Sequence, residues 1–278
     1  MIESARGLND AALTAIADLE RRVVAADGGR LKLEWGTLRS RRPDEVNDLL
    51  WWDGDRLLGF LGLYAFGGPP NVEFGGMVDP DSRRQGIGTA LLDEAMSLVR
   101  SRGFTNRLLV APATTPASAA FARARGGVLD HSEHAMVQRE PVDGDDDPRV
   151  TSRLLEVDDL DFLRHALKAG FGFDVPDLGN RISSDDANTV IIEFEGERVG
   201  TVRVSLEGDV GGVYGFVVVP EWQGQGIGRT VLRRMCRQLR ADGAREVRLE
   251  VAVDNPNALR LYTSQGFAQD AAEDYYRL

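Results

Sequence analysis

One device occurs twice in this chain. Residues Gln223-Gly224-Gln225-Gly226-Ile227-Gly228 open one apolar-periodic stretch, and Arg83-Arg84-Gln85-Gly86-Ile87-Gly88 open another. The central glycines lie 226 − 86 = 140 residues apart in a chain of 278. The chain therefore reads as two copies of one unit, each long enough to bury its own core. Each copy is expected to present a glycine-rich turn at a helix N-terminus, which is a seat for a phosphate-bearing ligand.

The sequence around the second turn explains why. Val217-Val218-Val219 is a β-branched run that makes a strand, and Pro220 ends it by removing a ladder donor. The glycines admit left-handed dihedrals and remove side chains that would block close approach. The helix that follows aims unpaired N–H groups and the positive end of its dipole at one point. The first copy offers the same parts: Met77-Val78-Asp79-Pro80, then Arg83 to Gly88, then Ala90-Leu91-Leu92. Neither turn matches the dinucleotide fingerprint or the P-loop.

The secondary-structure pattern alternates strands and helices alike in both halves. In the first, a helix is expected from Asn9 to Ala26, and strands near Asn47–Trp52, Arg56–Phe66 and Asn71–Val78. A helix to Arg102, a strand at Arg107–Ala111, a helix near Pro116–Ala124 and a strand near Asp130–Gln138 follow. The second half repeats this, from a strand near Thr151–Glu156 and a helix near Asp158–Lys168 to a last strand at Glu273–Leu278. The first copy lacks most of an opening strand in this reading. The expected class is α/β, with a mixed, mostly antiparallel sheet flanked by helices in each of two tandem domains. The boundaries are drawn at 1–141 and 150–278. The acidic, turn-rich run Asp143-Gly144-Asp145-Asp146-Asp147-Pro148 falls within the linker at 142–149. Its carboxylates lack the ligand spacing of a calcium loop, so it reads as solvated.

Composition narrows the partners. Net charge is −11. Residues 1–141 carry 17 basic and 19 acidic side chains, net −2, and residues 142–278 carry 16 and 25, net −9. Such a surface repels nucleic acid and anionic membranes. The longest apolar stretch, Leu57 to Phe66, falls short of the ~20 residues that span a bilayer. The start of the chain lacks a basic segment followed by an apolar run. The single cysteine, Cys236, reads as a small buried residue, and a reduced, cytoplasmic setting is expected. His131, His134 and His165 are scattered, and no metal site is expected.

The turn has a more specific form: Gln or Arg, two residues, Gly, one residue, Gly, after Val-x-Pro and before a helix. This form, present twice, resembles the acyl-CoA-binding motif of the GNAT family of N-acetyltransferases. The resemblance implies acetyl-CoA as cosubstrate. It implies that Gln223, Gly224, Gln225, Gly226, Ile227, Gly228 and Arg229 cradle its pyrophosphate beyond Val217, Val218 and Val219. Arg83, Gly86 and Gly88 would do the same in the first copy. A second element, Asn255, Ala258, Leu261, Tyr262, Gly266 and Phe267, is similar to the family's N-x-x-A-x-x-L-Y-x-x-x-G-F pattern. By that resemblance Asn255 helps to hold the CoA arm and Tyr262 sits near the thioester sulfur. Val217 or Val218 offers a main-chain donor to the thioester oxygen where the family's sheet splits.

The chemistry fits those residue types. A departing thiolate leaves more readily when it is given a proton, and a phenol with a reference pKa of about 10 holds one at neutral pH. The attacking amine must lose a proton, which a carboxylate can take through water. Glu250, 262 − 250 = 12 residues before Tyr262, is similar to the base of family members that acetylate protein N-termini. Under the 140-residue offset Tyr262, Asn255 and Glu250 map to Ala122, Thr115 and Val110. The first copy therefore reads as degenerate and supporting. Glu73 is the carboxylate on its strand before the turn. Asp174 and Asp177 are candidates to attract a cationic acceptor.

The expected activity is acetyl transfer to a primary amine of a small molecule, by direct attack in a ternary complex. The expected protein is a monomer or homodimer. The tandem arrangement is similar to that of the mycothiol synthase family, although Gly212 stands where that family carries a strand carboxylate. An antibiotic or polyamine as acceptor, an N-terminal peptide as acceptor, and a non-catalytic acyl-CoA-binding module remain open.

Overall fold

The computed structural model describes residues 1–65, 69–172 and 188–278. They form two compact units. Unit 1 comprises Met1–Glu133 and Ala271–Leu278, and unit 2 comprises His134–Asp270. The division is thus not the sequential one read from the acidic run. Each long late strand of a half, Val128–Gln138 and Ala268–Arg277, carries residues of both units.

Unit 1 is built from β1 (Ile2–Arg6), α1 (Asp10–Asp27), α2 (Trp35–Arg39), β2 (Val46–Asp53), β3 (Arg56–Tyr64) and β4 (Asn71–Val78). Next come α3 (Ile87–Ser101), β5 (Asn106–Pro112), α4 (Pro116–Ala124) and β6 (Val128–Gln138). Its sheet runs β1-β2-β3-β4-β5, then the last strand, β12 (Ala268–Arg277), then β6. β4 and β5 are parallel; the other assigned pairs are antiparallel. The opening strand missing from the sequence reading is present: β1 pairs with β2, with only Ala5 buried. α1 starts where the Asn9 side chain accepts from the Ala12 amide at 2.9 Å, and its apolar stripe Ile16, Leu19, Val23 is buried on one face of the sheet. The stripe of α3, with Leu91, Leu92, Ala95 and Val99, covers the other face together with α4. Each fully buried Leu or Val contributes roughly 1.5–3 kcal/mol before conformational entropy is counted.

Unit 2 repeats the plan with β7 (Val150–Leu154), α5 (Leu160–Phe171), β8 (Thr189–Phe194), β9 (Glu197–Glu207) and β10 (Val210–Val218). α6 (Ile227–Ala241), β11 (Glu246–Ala252) and α7 (Pro256–Ser264) follow. The sheet order is β6-β11-β10-β9-β8-β7, and β10–β11 is the parallel pair. α6 and α7 share a cluster with Val247, Leu249 and Val251 of β11. Ala166 of α5 packs with Val217 and Val219 on the opposite face.

The acidic run is exposed as read at Asp143, Gly144, Asp145 and Pro148, but Asp146 is not left to solvent. Asp146 is held by Arg233 at 3.4 Å, Arg234 at 3.1 Å and Arg237, three arginines of α6, and the Arg233 guanidinium donates to the Asp145 carbonyl at 2.6 Å. Against burial, which raises it, the Arg234 and Arg237 guanidinium groups hold the Asp146 carboxyl below its ordinary range. Among the described residues no helix is long and apolar enough to cross a membrane.

Candidate active site

In unit 2, β10 ends at Val218 and a short 3-10 turn, Pro220–Trp222, leads into the glycine segment. Gln223 Nε2 donates to the Val218 carbonyl at 2.8 Å, which ties the turn back to its strand. Gly224 has φ +78° and Gly226 has φ +84°, left-handed values that a residue with a Cβ adopts at a cost. Nothing lies within 4 Å of a Cβ built on either, so these glycines face open space. Gly226 caps α6 with no side-chain cap bond, which leaves the first-turn amides to an external acceptor. Gly228 has a different role: a Cβ there would stand 3.3 Å from Leu261 and 3.7 Å from Phe216, so it lets α6 pack against α7 and β10. Ile227 is buried and anchors the turn, whereas Gln225 and Arg229 are exposed beside it. The result is an uncapped helix end with an adjacent cation, suited to an anion such as a pyrophosphate.

Beside this turn the sheet opens. β10 and β11 pair only from Val210↔Glu246 to Gly212↔Arg248. β10 then takes in one extra residue against β9 between Tyr214 and Val217. Gly215, with φ +55°, supplies the kink of this bulge. Gly200 of β9 is required by it, since a Cβ there would lie 2.2 Å from the Val217 carbonyl oxygen. The Val219 amide donates to Val199 O at 2.9 Å, toward β9. Main-chain groups alternate along a strand, so the Val217 groups face β9 as well, and the Val218 amide is turned into the opening. Of the three candidate valines, Val218 alone presents an N–H there.

Tyr262 on α7 is 7% exposed, in the same cluster as Leu249 and Val251. Burial pushes its hydroxyl up to about 12, so it keeps its proton throughout the neutral range. The Asn255 Oδ1 accepts from the Ala258 amide at 3.1 Å as the N-cap of α7, which orients the side-chain amide at the start of that helix. Glu250 is half-buried and alternates with the core residues Leu249 and Val251. It therefore lies on the α5 face of β11, the sheet face opposite that of Tyr262.

In unit 1 the parts differ. The left-handed position equivalent to Gly224 is carried by Arg84, at φ +63°. The Arg83 side chain is engaged by Asp27 at 2.7 and 2.8 Å and by Val78 O at 3.3 Å, which ties it to α1 and to the end of β4. Gly86 and Gly88 keep the geometry of their counterparts. β3 and β4 pair without a bulge, and β4–β5 pairing continues to Phe74↔Leu109. Ala122, fully buried, stands in place of Tyr262.

The sequence reading passed over Gly200, Tyr214 and Gly215. The extra residue in β10 changes the offset between copies: Leu108 corresponds to Arg248 (248 − 108 = 140), but the registers place Glu73 opposite Gly212 (212 − 73 = 139) and Gly75 opposite Tyr214 (214 − 75 = 139). Tyr214 lies with its ring over Gly212, whose added Cβ would meet the phenol oxygen at 2.4 Å. A glycine two residues before a tyrosine, followed by Gly215, was the available signal. Cys236 is buried, its thiol pushed up to about 12 by burial. Asp174 and Asp177 lie outside the described residues. Among the described residues no group of three or more His, Cys, Asp or Glu side chains is placed to hold a metal.

The model of the acetyltransferase (GNAT) family matches residues 14–126 and again 160–267. The chain belongs to the GNAT family. It is 30% identical over 245 residues to a mycothiol acetyltransferase of Catenulispora acidiphila, covering 77% of this chain and 76% of that one. It is 29% identical to the mycothiol acetyltransferase of Geodermatophilus obscurus, covering 97% and 95%. Among solved structures, a GCN5-related N-acetyltransferase from Sphaerobacter thermophilus superposes with a TM-score of 0.80 at 19% identity, over 100% of this chain and 95% of that one. A tandem GNAT protein from the clavulanic acid biosynthesis pathway superposes with a TM-score of 0.70 at 18% identity, over 100% and 98%. This GNAT protein is thus an acyltransferase of tandem architecture, and members of its family use acetyl-CoA as cosubstrate.

Proposed function

We propose that unit 2 transfers the acetyl group of acetyl-CoA to the primary amine of a small molecule, by direct attack within a ternary complex. The observation that carries this reading is the opening between β10 and β11. It supports this reading because β10 and β11 part after Gly212↔Arg248, strand alternation turns the Val218 N–H into the gap, and the same unit carries an uncapped helix end and a buried phenol. Acetyl-CoA supplies the activated acyl group and a thiol leaving group. The amides from Gly224 to Gly228, with Arg229, hold its diphosphate. The Val218 amide donates to the carbonyl oxygen as charge builds there. Tyr262 keeps a proton to give to sulfur. Glu250, on the α5 face, takes the proton of the incoming ammonium through water. The relatives named mycothiol acetyltransferases support a small-molecule acceptor. Unit 1, with Ala122 and an unbulged β4, supports unit 2 rather than turning over.

The test is calorimetric titration with coenzyme A, followed by thiol release from acetyl-CoA across a panel of small amines, amino-sugar conjugates and N-terminal peptides. Saturable CoA binding with turnover on a small amine is expected. CoA binding without turnover on any amine would make the chain a binding module, and turnover on peptides alone would move the acceptor class.

A further inference from the structure

Unit 1 carries a closed polar cluster at the place where, in unit 2, an acceptor amine would arrive. Glu73 and Gly75 of β4 alternate with Phe74, which packs on the α3 side, so both face α1. Tyr275 of β12 pairs with Val110 of β5 and alternates with Tyr276, another residue of the α3-side cluster, so it too faces α1. Glu73 and Tyr275 thereby flank the end of the β4–β5 ladder at Phe74↔Leu109 on one face. Between them stands Lys32, whose side chain is only 9% exposed. Its ammonium donates to Tyr275 OH at 2.5 Å, and lies 3.8 Å from Glu73 Oε2 and 3.7 Å from Glu133 Oε2. Tyr275 OH in turn donates to Glu133 at 2.6 Å, and its ring stacks on His131 at 4.3 Å between centroids. The segment is pressed onto the sheet: a Cβ on Gly75 would lie 2.9 Å from the Lys32 carbonyl oxygen.

An ammonium has three N–H donors and no acceptor, and is stable under burial only where negative or polar oxygens surround it. Glu73, Glu133 and Tyr275 OH supply three. We propose that this cage is a primary-ammonium site, and that the chain fills it with its own Lys32. Unit 1 is then closed to external acceptors by an internal amine, beyond what it lacks in catalytic groups. At the matching position unit 2 has Gly212 beneath Tyr214, which is 39% exposed. The inference rests on the reading that the α5 face of the unit 2 opening receives the acceptor. Its test is made in unit 1 and reads binding rather than turnover.

Lys32→Ala removes a propylammonium-shaped group. Propylammonium chloride is expected to raise the melting temperature of the Lys32→Ala protein saturably, by about 5–10 °C at roughly a hundred times its Kd. Propanol at the same concentration leaves it unmoved, and wild type responds to neither. Adding Glu73→Gln removes most of the effect. Amine turnover by the Lys32→Ala protein stays at the wild-type rate, so a failure of the unit 2 reading is seen separately. A folded Lys32→Ala protein that answers equally to propanol and propylammonium, or to neither, overturns the proposal. Should Lys32→Ala not fold, Lys32→Met keeps the length and removes the charge. It is expected to melt well below wild type at pH 7, and a melting temperature equal to wild type overturns the ammonium cage.

Discussion

Replacing Gly226 by Ala, and separately Gly86 by Ala, gives a matched pair of perturbations. Both glycines cap a helix in the left-handed region, at φ +84° and +86°, and neither added Cβ meets an atom within 4 Å. The cost to the folded chain is therefore backbone strain alone, about 1–2 kcal/mol for each. For a chain of this size that corresponds to a melting-temperature drop of roughly 2–8 °C, similar in the two variants. Their effect on ligand binding should not be similar. In unit 2 the new methyl projects into the open space proposed above for the diphosphate. Loss of one charge-assisted main-chain bond, about 1.5–3 kcal/mol, weakens CoA by roughly 10- to 150-fold. Calorimetric titration and thiol-release kinetics, with melting curves as the stability control, measure all three quantities. Gly226→Ala should raise the acetyl-CoA KM by that factor, and Gly86→Ala should leave turnover within twofold of wild type. Turnover lost in Gly86→Ala and kept in Gly226→Ala would refute the assignment of chemistry to unit 2.

Tyr262→Phe should lower kcat by about 10²- to 10⁴-fold with little change in the acetyl-CoA KM. Because burial pushes this hydroxyl up to about 12, its deprotonation contributes no alkaline fall in kcat below about pH 11; a limb near pH 9 that vanishes in Tyr262→Phe would contradict the raised value, and an unchanged kcat in Tyr262→Phe would contradict the acid role. Asp159 is buried against Arg153 at 2.5 Å and Arg198 at 3.2 Å, and hydrogen bonds from Arg153 hold its carboxyl far below the ordinary value of 3.8. A lowered folded pKa stabilises the fold above the ordinary value and loses that stabilisation as pH falls below it. Asp159→Asn should therefore cost about 2–3 kcal/mol at pH 7, with the difference from wild type shrinking below pH 4 in denaturant titrations. Gly200→Ala places a methyl against the Val217 carbonyl and should cost about 1–3 kcal/mol; it should also slow turnover, because the bulge that turns Val218 must shift. Unchanged turnover would mean that the bulge does not set the donor.

The duplication, the glycine turns and the α/β class were legible because they rest on local patterns: β-branched runs, a proline stop, apolar periodicity after glycine. β1 was not legible. Its five residues bury only Ala5 and are held by main-chain pairing to β2, which side-chain periodicity does not report. The bulge escaped because it adds one residue within a strand, while the turns on either side of the comparison still differ by 140. Glu73 thus fell out of line with Gly212. The fate of Asp146 depended on three arginines nearly ninety positions away in sequence, at separations of 87, 88 and 91. The orientation of Glu250 and Val218 followed from strand alternation only once the registers were known.

The placement of residues 271–278 in unit 1 bears on the order in which the molecule is made. A ribosome delivers Met1–Glu133 before unit 2, but the strand bearing Tyr275 follows both. Unit 2, contiguous from His134 to Asp270, has all its segments at hand earlier than its older neighbour does. The half that emerges first is finished last, and in the interval β5 waits with an unpaired edge, the condition under which nascent chains depend on chaperones.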